Sequence, residues 1–194
     1  MTAGEGSSNV DFDIVPPEAI ALLRQCGAMQ RPHGERTLFE HLVGTYSLLK
    51  SWDNPESVCL GGLFHSIYGT NAFKHQSLPE CQRTQLQNLI GIEAEYLAWR
   101  FCNIDRPRAI LDAFRKREPS AEWIGLIEIE AANLIEQGDI GSITREMFCI
   151  GLDQPGTLSQ GSITALLQAL SRQHVRQKTG PTLTGAQVTQ EARS

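Results

Sequence analysis

Residues 37–70 read TLFEHLVGTYSLLKSWDNPESVCLGGLFHSIYGT, and the reading of this stretch decides the fold. Leu38, Leu42, Thr45, Tyr46 and Leu49 recur at the spacing of a helix face. Thr37 with Glu40 three residues on has the form of a capping box, which sets the start of that helix. Trp52-Asp53-Asn54 breaks the pattern, and Pro55 suits the first turn of a second helix. Val58, Leu60, Leu63, Phe64 and Ile67 extend this second helix through the histidine that follows Phe64. Gly61-Gly62 in its middle weakens it, by roughly 1 kcal/mol per glycine relative to alanine, so the pair reads as room for the close approach of another helix. The stretch is therefore a helical hairpin with His41 on one helix and His65 on the other, each set among apolar residues.

Working outward, Pro16-Pro17 starts a short helix, EAIALLRQCG, that Gly27 closes, and MQRPHGER (29–36) is a loop that delivers His33 ahead of the hairpin. Beyond Thr70, NAFKHQSL is irregular. Helices are predicted over Pro79–Ile90, over Ile92–Asn103 with an Ala94, Leu97, Ala98 and Phe101 stripe, and from Pro107 to about Arg117. Ser120–Gln137 is strongly helical and Gly138 stops it. Residues 138–161 read as a loop broken by a short REMFCIGL piece, and a last helix lies near Ser162–Val175. No strand pattern or internal repeat is present, so the class is all-α. Residues 14–177 form the single domain. The stretches 1–13 and 178–194 have few large apolar residues and are expected to be disordered tails.

Composition narrows the function. The formal net charge is −5, and the densest basic run is Arg115-Lys116-Arg117, so nucleic acid is not an expected partner. No apolar run approaches the ~18–20 residues of a membrane span. The start MTAGEGSSNVDFD is polar and acidic, unlike a secretory signal, and the five cysteines are scattered without a C-x-x-C pair. A reduced cytoplasm is the expected location.

His41, His65, the Ser66 that follows it, and Ala132-Asn133 on a later helix resemble the HD-domain superfamily of helical metallophosphohydrolases, nearest in layout to its (p)ppGpp-hydrolysing branch. The resemblance spans roughly residues 37–137. It implies an HD-like helical bundle in which His41 and His65 are metal ligands. The superfamily carries Asp where this chain has Ser66 and Asn133, and that branch carries a Glu-Asp pair where this chain has Gly69-Thr70. The stretch including LFHSIYGT is similar to a family of HD-like proteins of unknown function in which His-Ser is the usual form.

Without those acids, Mn²⁺ and Mg²⁺ are poorly served, because hard ions need charged oxygen donors. Zn²⁺ or iron fits better, above all if His33 joins His41 and His65 as a third nitrogen ligand. Glu130 is a candidate replacement carboxylate on the Asn133 helix. Ser66, Tyr68 and Asn133 are then the candidate catalytic residues that orient a substrate. Each has a plainer reading: the two histidines as satisfied core residues, Ser66 bonded to its own helix, Asn133 in a structural hydrogen bond, and Tyr68 at an interface. Glu93 and Glu95 are expected to be solvated or helix-end charges. Two functions follow. One is a metal-assisted hydrolase or related enzyme on a small polar or phosphorylated metabolite. The other is a catalytically inactive ligand-binding or interaction module on the same scaffold.

Overall fold

Pro17 opens α1 (Pro17–Gln25), and Gly27, at φ +74°, ends it in the left-handed conformation that glycine adopts without strain. A 3-10 turn (Ala28–Gln30) leads to two antiparallel two-residue strands, β1 (Pro32–His33) and β2 (Arg36–Thr37), with His33 opposite Arg36. The capping box then forms as predicted at the head of α2 (Leu38–Ser51). Thr37 N–H donates to Glu40 Oε2 at 2.8 Å, and Glu40 N–H donates to Thr37 Oγ1 at 3.2 Å. The remaining helices are α3 (Glu56–Leu63), α4 (Arg83–Ile90), α5 (Ile92–Asn103), α6 (Arg108–Arg115), α7 (Ala121–Gln137), α8 (Ser142–Asp153) and α9 (Gln160–Thr179).

These elements come from a computed structural model that describes residues 14–69, 77–117 and 119–179. The expected tail 1–13 lies outside the described residues, as does 180–194, while α9 carries helix two residues into the span read as the C-terminal tail. Thr70 is also outside them. The architecture is an all-α bundle, and no helix among the described residues is long and apolar enough to cross a membrane.

The most enclosed element is α7, in which every residue from Gly125 to Leu134 is buried. Helices α2, α3, α5, α6, α8 and α9 all pack on it. A helix covered on every side must satisfy its polar residues internally. Glu128 does so by accepting from Asn54 Nδ2 at 2.9 Å in the α2–α3 turn, and from Ser159 N–H and Ser162 Oγ at the start of α9. Glu130 accepts from Arg106 Nη1, and Asn133 lies beside His41. The glycine pair on α3 admits its neighbours as expected. A Cβ at Gly61 would lie 3.0 Å from Leu97 Cβ on α5, and one at Gly62 would strike Leu49 on α2.

Three expectations are corrected. Helix α3 ends at Leu63 rather than running through Ile67, so His65 to Tyr68 sit in the turn that follows. The 138–161 region contains a full helix, α8, whose Thr144, Met147, Ile150 and Gly151 face inward. Its glycine and β-branched residues give little intrinsic helicity, and packing against α7 and α9 supplies the stability. Glu95 is wholly buried rather than solvated. It accepts from Arg83 Nε at 2.7 Å and Arg83 Nη2 at 2.9 Å, from Gln87 Nε2 at 2.9 Å, and from Tyr68 Oη at 2.9 Å.

Candidate functional site

The early end of α3 shapes the site. A helix leaves its last carbonyls without intrahelical donors. His65 Nδ1–H, folding back from the turn, donates to Gly62 O at 2.6 Å. That bond fixes the tautomer of His65 and points its Nε2 lone pair at α2. There His41 presents its own Nε2, 3.1 Å away, with the two rings close to perpendicular at 81°. His41 and His65 are 0% and 1% exposed.

The far side of His41 is held as firmly. Its Nδ1 meets Glu136 Oε2 from the last turn of α7. The other Glu136 oxygen is ion-paired with Arg36 Nη1, and Arg36 Nη2 donates to the Glu136 backbone carbonyl at 2.7 Å. The result is a chain from β2 through α7 and α2 to the end of α3: Arg36, Glu136, His41, His65, Gly62 O. His33 lies flat against His41, with ring centroids 4.3 Å apart and planes 20° from parallel. Asn133 lies beside His41 and accepts from Gln137 Nε2 at 2.6 Å.

Of the residues read from sequence, the structure brings together His33, His41, His65 and Asn133, with Ser66 buried in the turn beside His65. Tyr68 gives its hydroxyl to Glu95 in the separate polar cluster described above. Glu130, read as a replacement carboxylate, instead takes Arg106 Nη1 at 2.6 Å; that guanidinium sits 3.9 Å over the Phe101 ring, which meets His65 edge-on. The carboxylate at the histidines is Glu136. Its position one turn beyond Asn133 on the same helix face was the available signal. Cys102 donates to the His65 carbonyl at 3.0 Å, and burial pushes its thiol up to about 12, so it is no thiolate near neutrality. An open cavity of about 510 Å³ lies among Ile20, Arg24, Met29, Thr37, Phe39 and Glu40, away from the histidine pair.

Protonation follows from burial. His65 is held well below the ordinary imidazole value of 6.5, first by desolvation and then by its neighbour His41. His41 is lowered to about 3 by desolvation first, with His33 and Arg36 adding to it. Glu136 is pushed up to about 7, again by burial first, with Arg36 and His33 opposing. The stability consequences have definite signs. A histidine kept neutral in the fold contributes stability above 6.5 that is lost as the pH falls. Glu136, with its folded value raised from 4.5, contributes in the opposite sense, losing stability as the pH rises toward 7. Between 4.5 and 6.5, His41 and Glu136 act in opposite senses, as do His33, lowered by burial, and Glu130, raised by it, so His65 sets the sign. Metal-free protein is therefore expected to lose stability as the pH falls through that window, a slope that His65→Asn should flatten. Urea denaturation in a pH series measures it, and a flat wild-type profile would count against a neutral buried His65.

No curated protein and no solved structure matches this chain. The profile of a family described as a domain of unknown function (DUF6817) matches residues 22–106. The similarity thus covers His33, His41, His65 and Arg106 and ends before α7, which brings Glu130, Asn133 and Glu136 to them.

Proposed function

We propose that the His41–His65 pair is the ion-binding centre of an HD-like domain, and that the protein is a metal-assisted hydrolase or related enzyme acting on a small polar or phosphorylated metabolite. One observation carries this reading: the two Nε2 atoms face each other at 3.1 Å while both outer ring nitrogens are anchored, one on a carboxylate and one on a backbone carbonyl. Ligating histidines are ordinarily held in this way, with the outer N–H fixed by a carboxylate or carbonyl. Two nitrogens bound tetrahedrally to one Zn²⁺ stand about 3.3 Å apart, given Zn–N distances of about 2.0–2.1 Å.

The donor set selects the ion. Two neutral imidazoles with an amide beside them suit Zn²⁺ or Fe²⁺ better than Mn²⁺ or Mg²⁺. Among the described residues, no group of three or more His, Cys, Asp or Glu side chains gathers to hold an ion, so other positions fall to water, substrate or a rotated His33. When bound, the ion would supply a water acidified toward a pKa of about 7. The protein's own part is to fix the two rings and to keep bulk water off them. Ser66 and Asn133 stand where the resembled superfamily has acids, so (p)ppGpp hydrolysis is expected to be negligible.

The second reading rests on the same bonds. All four ring nitrogens of the pair have partners within the protein, as they would in a closed network inside an inactive binding or interaction module. Metal analysis of protein purified without chelator or histidine tag, followed by a thermal-shift panel of Zn²⁺, Fe²⁺ and small anionic metabolites, separates the two. The expected result is a nitrogen-held Zn²⁺ or iron ion and a ligand shift that disappears in His65→Ala. Metal-free protein that neither takes up Zn²⁺ nor responds to any metabolite would leave the inactive module.

A further inference from the structure

We infer that Glu136 is a positioning residue of the histidine pair, and that Gly44 and Arg36 are the parts of the fold that hold its carboxylate on His41. The inference takes its purpose from the ion-binding reading, but its geometry stands without an ion.

Glu136 is the only carboxylate hydrogen-bonded to either ring among the described residues, and its side chain is 5% exposed. To reach His41 from α7 it must cross the surface of α2 one turn beyond the histidine. That crossing is open because residue 44 has no side chain. A Cβ built there would lie 2.5 Å from Glu136 Oε1 and 3.0 Å from its Cγ. Glycine in a helix interior is otherwise unfavourable, so its place at this turn has a packing reason. Arg36 fixes the other end by gripping both the carboxylate and the backbone carbonyl of the same residue. The carboxylate therefore has one oxygen on a guanidinium and one on the imidazole. In that place it selects which His41 nitrogen carries the proton, leaving Nε2 to face His65. Because His65 Nε2 is a bare acceptor, the ion-free pair carries the His41 proton on Nε2 and Nδ1 accepts from the Glu136 carboxyl; with an ion between the rings the proton would sit on Nδ1, where the carboxylate accepts it and raises the basicity of Nε2.

Gly44→Ala is the incisive test. Alanine ordinarily strengthens a helix interior, so this variant should fold at least as well as the parent unless the Cβ disturbs its surroundings. The nearest obstacle is the flexible end of Glu136, which can swing away and so release His41. Two readouts are taken on Gly44→Ala and Glu136→Ala. The first is the ring ¹⁵N shifts of His41 in metal-free protein, from long-range ¹H–¹⁵N correlation spectra. The second is Zn²⁺ affinity by competition with a chromophoric chelator. The expected result is a changed His41 tautomer signature in both variants and Zn²⁺ binding weakened by about 10–100-fold. If the parent protein takes up no Zn²⁺ while both variants still shift the His41 resonances, the positioning role stands and the ion-binding reading falls. Parent-like His41 shifts in both variants would overturn the inference.

Discussion

Glu95→Ala is expected to destabilise the fold by about 3–5 kcal/mol, the usual consequence of breaking a buried charge pair by removing one partner. Glu95 is completely buried, and its two oxygens accept four hydrogen bonds, from Arg83, Gln87 and Tyr68. Truncation removes the Glu95 carboxylate from the guanidinium and takes the Glu95 acceptor from the Tyr68 hydroxyl. Tyr68 lies in the turn that carries His65 and Ser66, so the damage reaches the site as well as the core. Arg83 also lies over the Trp99 ring at 4.3 Å, a contact that survives and limits the loss. Burial on its own would raise the Glu95 carboxyl, but the hydrogen bonds from Arg83, Gln87 and Tyr68 together hold it below the ordinary 4.5. Its contribution is therefore present above that value and lost in acid. Urea denaturation at neutral pH measures the difference, and the melting temperature should drop by roughly 10 °C. A loss below about 1 kcal/mol would mean that the donors re-pair, and that the cluster is not what fixes the turn.

Asn133→Asp should increase Mn²⁺ affinity by at least about tenfold, a difference of about 1.4 kcal/mol. Asn133 lies beside His41, and it stands at the position where the resembled superfamily carries its distant Asp. The substitution is nearly isosteric. It adds one negative charge and a hard oxygen beside the two imidazoles, which is the donor type that Mn²⁺ requires. Two opposite unit charges about 4 Å apart attract by about 4 kcal/mol at an effective dielectric of 20, so a tenfold gain leaves ample allowance for desolvation. Adding Ser66→Asp should increase the affinity further. Mn²⁺ titration followed by electron paramagnetic resonance, with the parent protein alongside, reads both. Unchanged affinity in the double variant would show that residues 66 and 133 do not share a site with the histidine pair.

The sequence by itself determined the features that depend on near neighbours. The Thr37–Glu40 capping box, the left-handed Gly27, the Ile92–Asn103 boundaries and the helical hairpin of α2 and α3 involve residues a few positions apart or a simple 3.6-residue period. His41 and His65 were legible as a pair because each is set among apolar residues, one on α2 and one just past the end of α3. Tertiary structure alone decided the partners of the buried charges. Glu136 lies 95 residues from His41, and Glu128 lies 74 residues from Asn54, separations over which no local pattern operates. Glu95 looked like a solvated first-turn acid because its three partners come from another helix and a turn. Helix α3 stops at Leu63 because the His65 side chain can satisfy the freed Gly62 carbonyl, and α8 forms because α7 and α9 cover its inner face. Local propensity starts and stops helices; which acid meets which histidine depends on how the packed helices bring distant residues together.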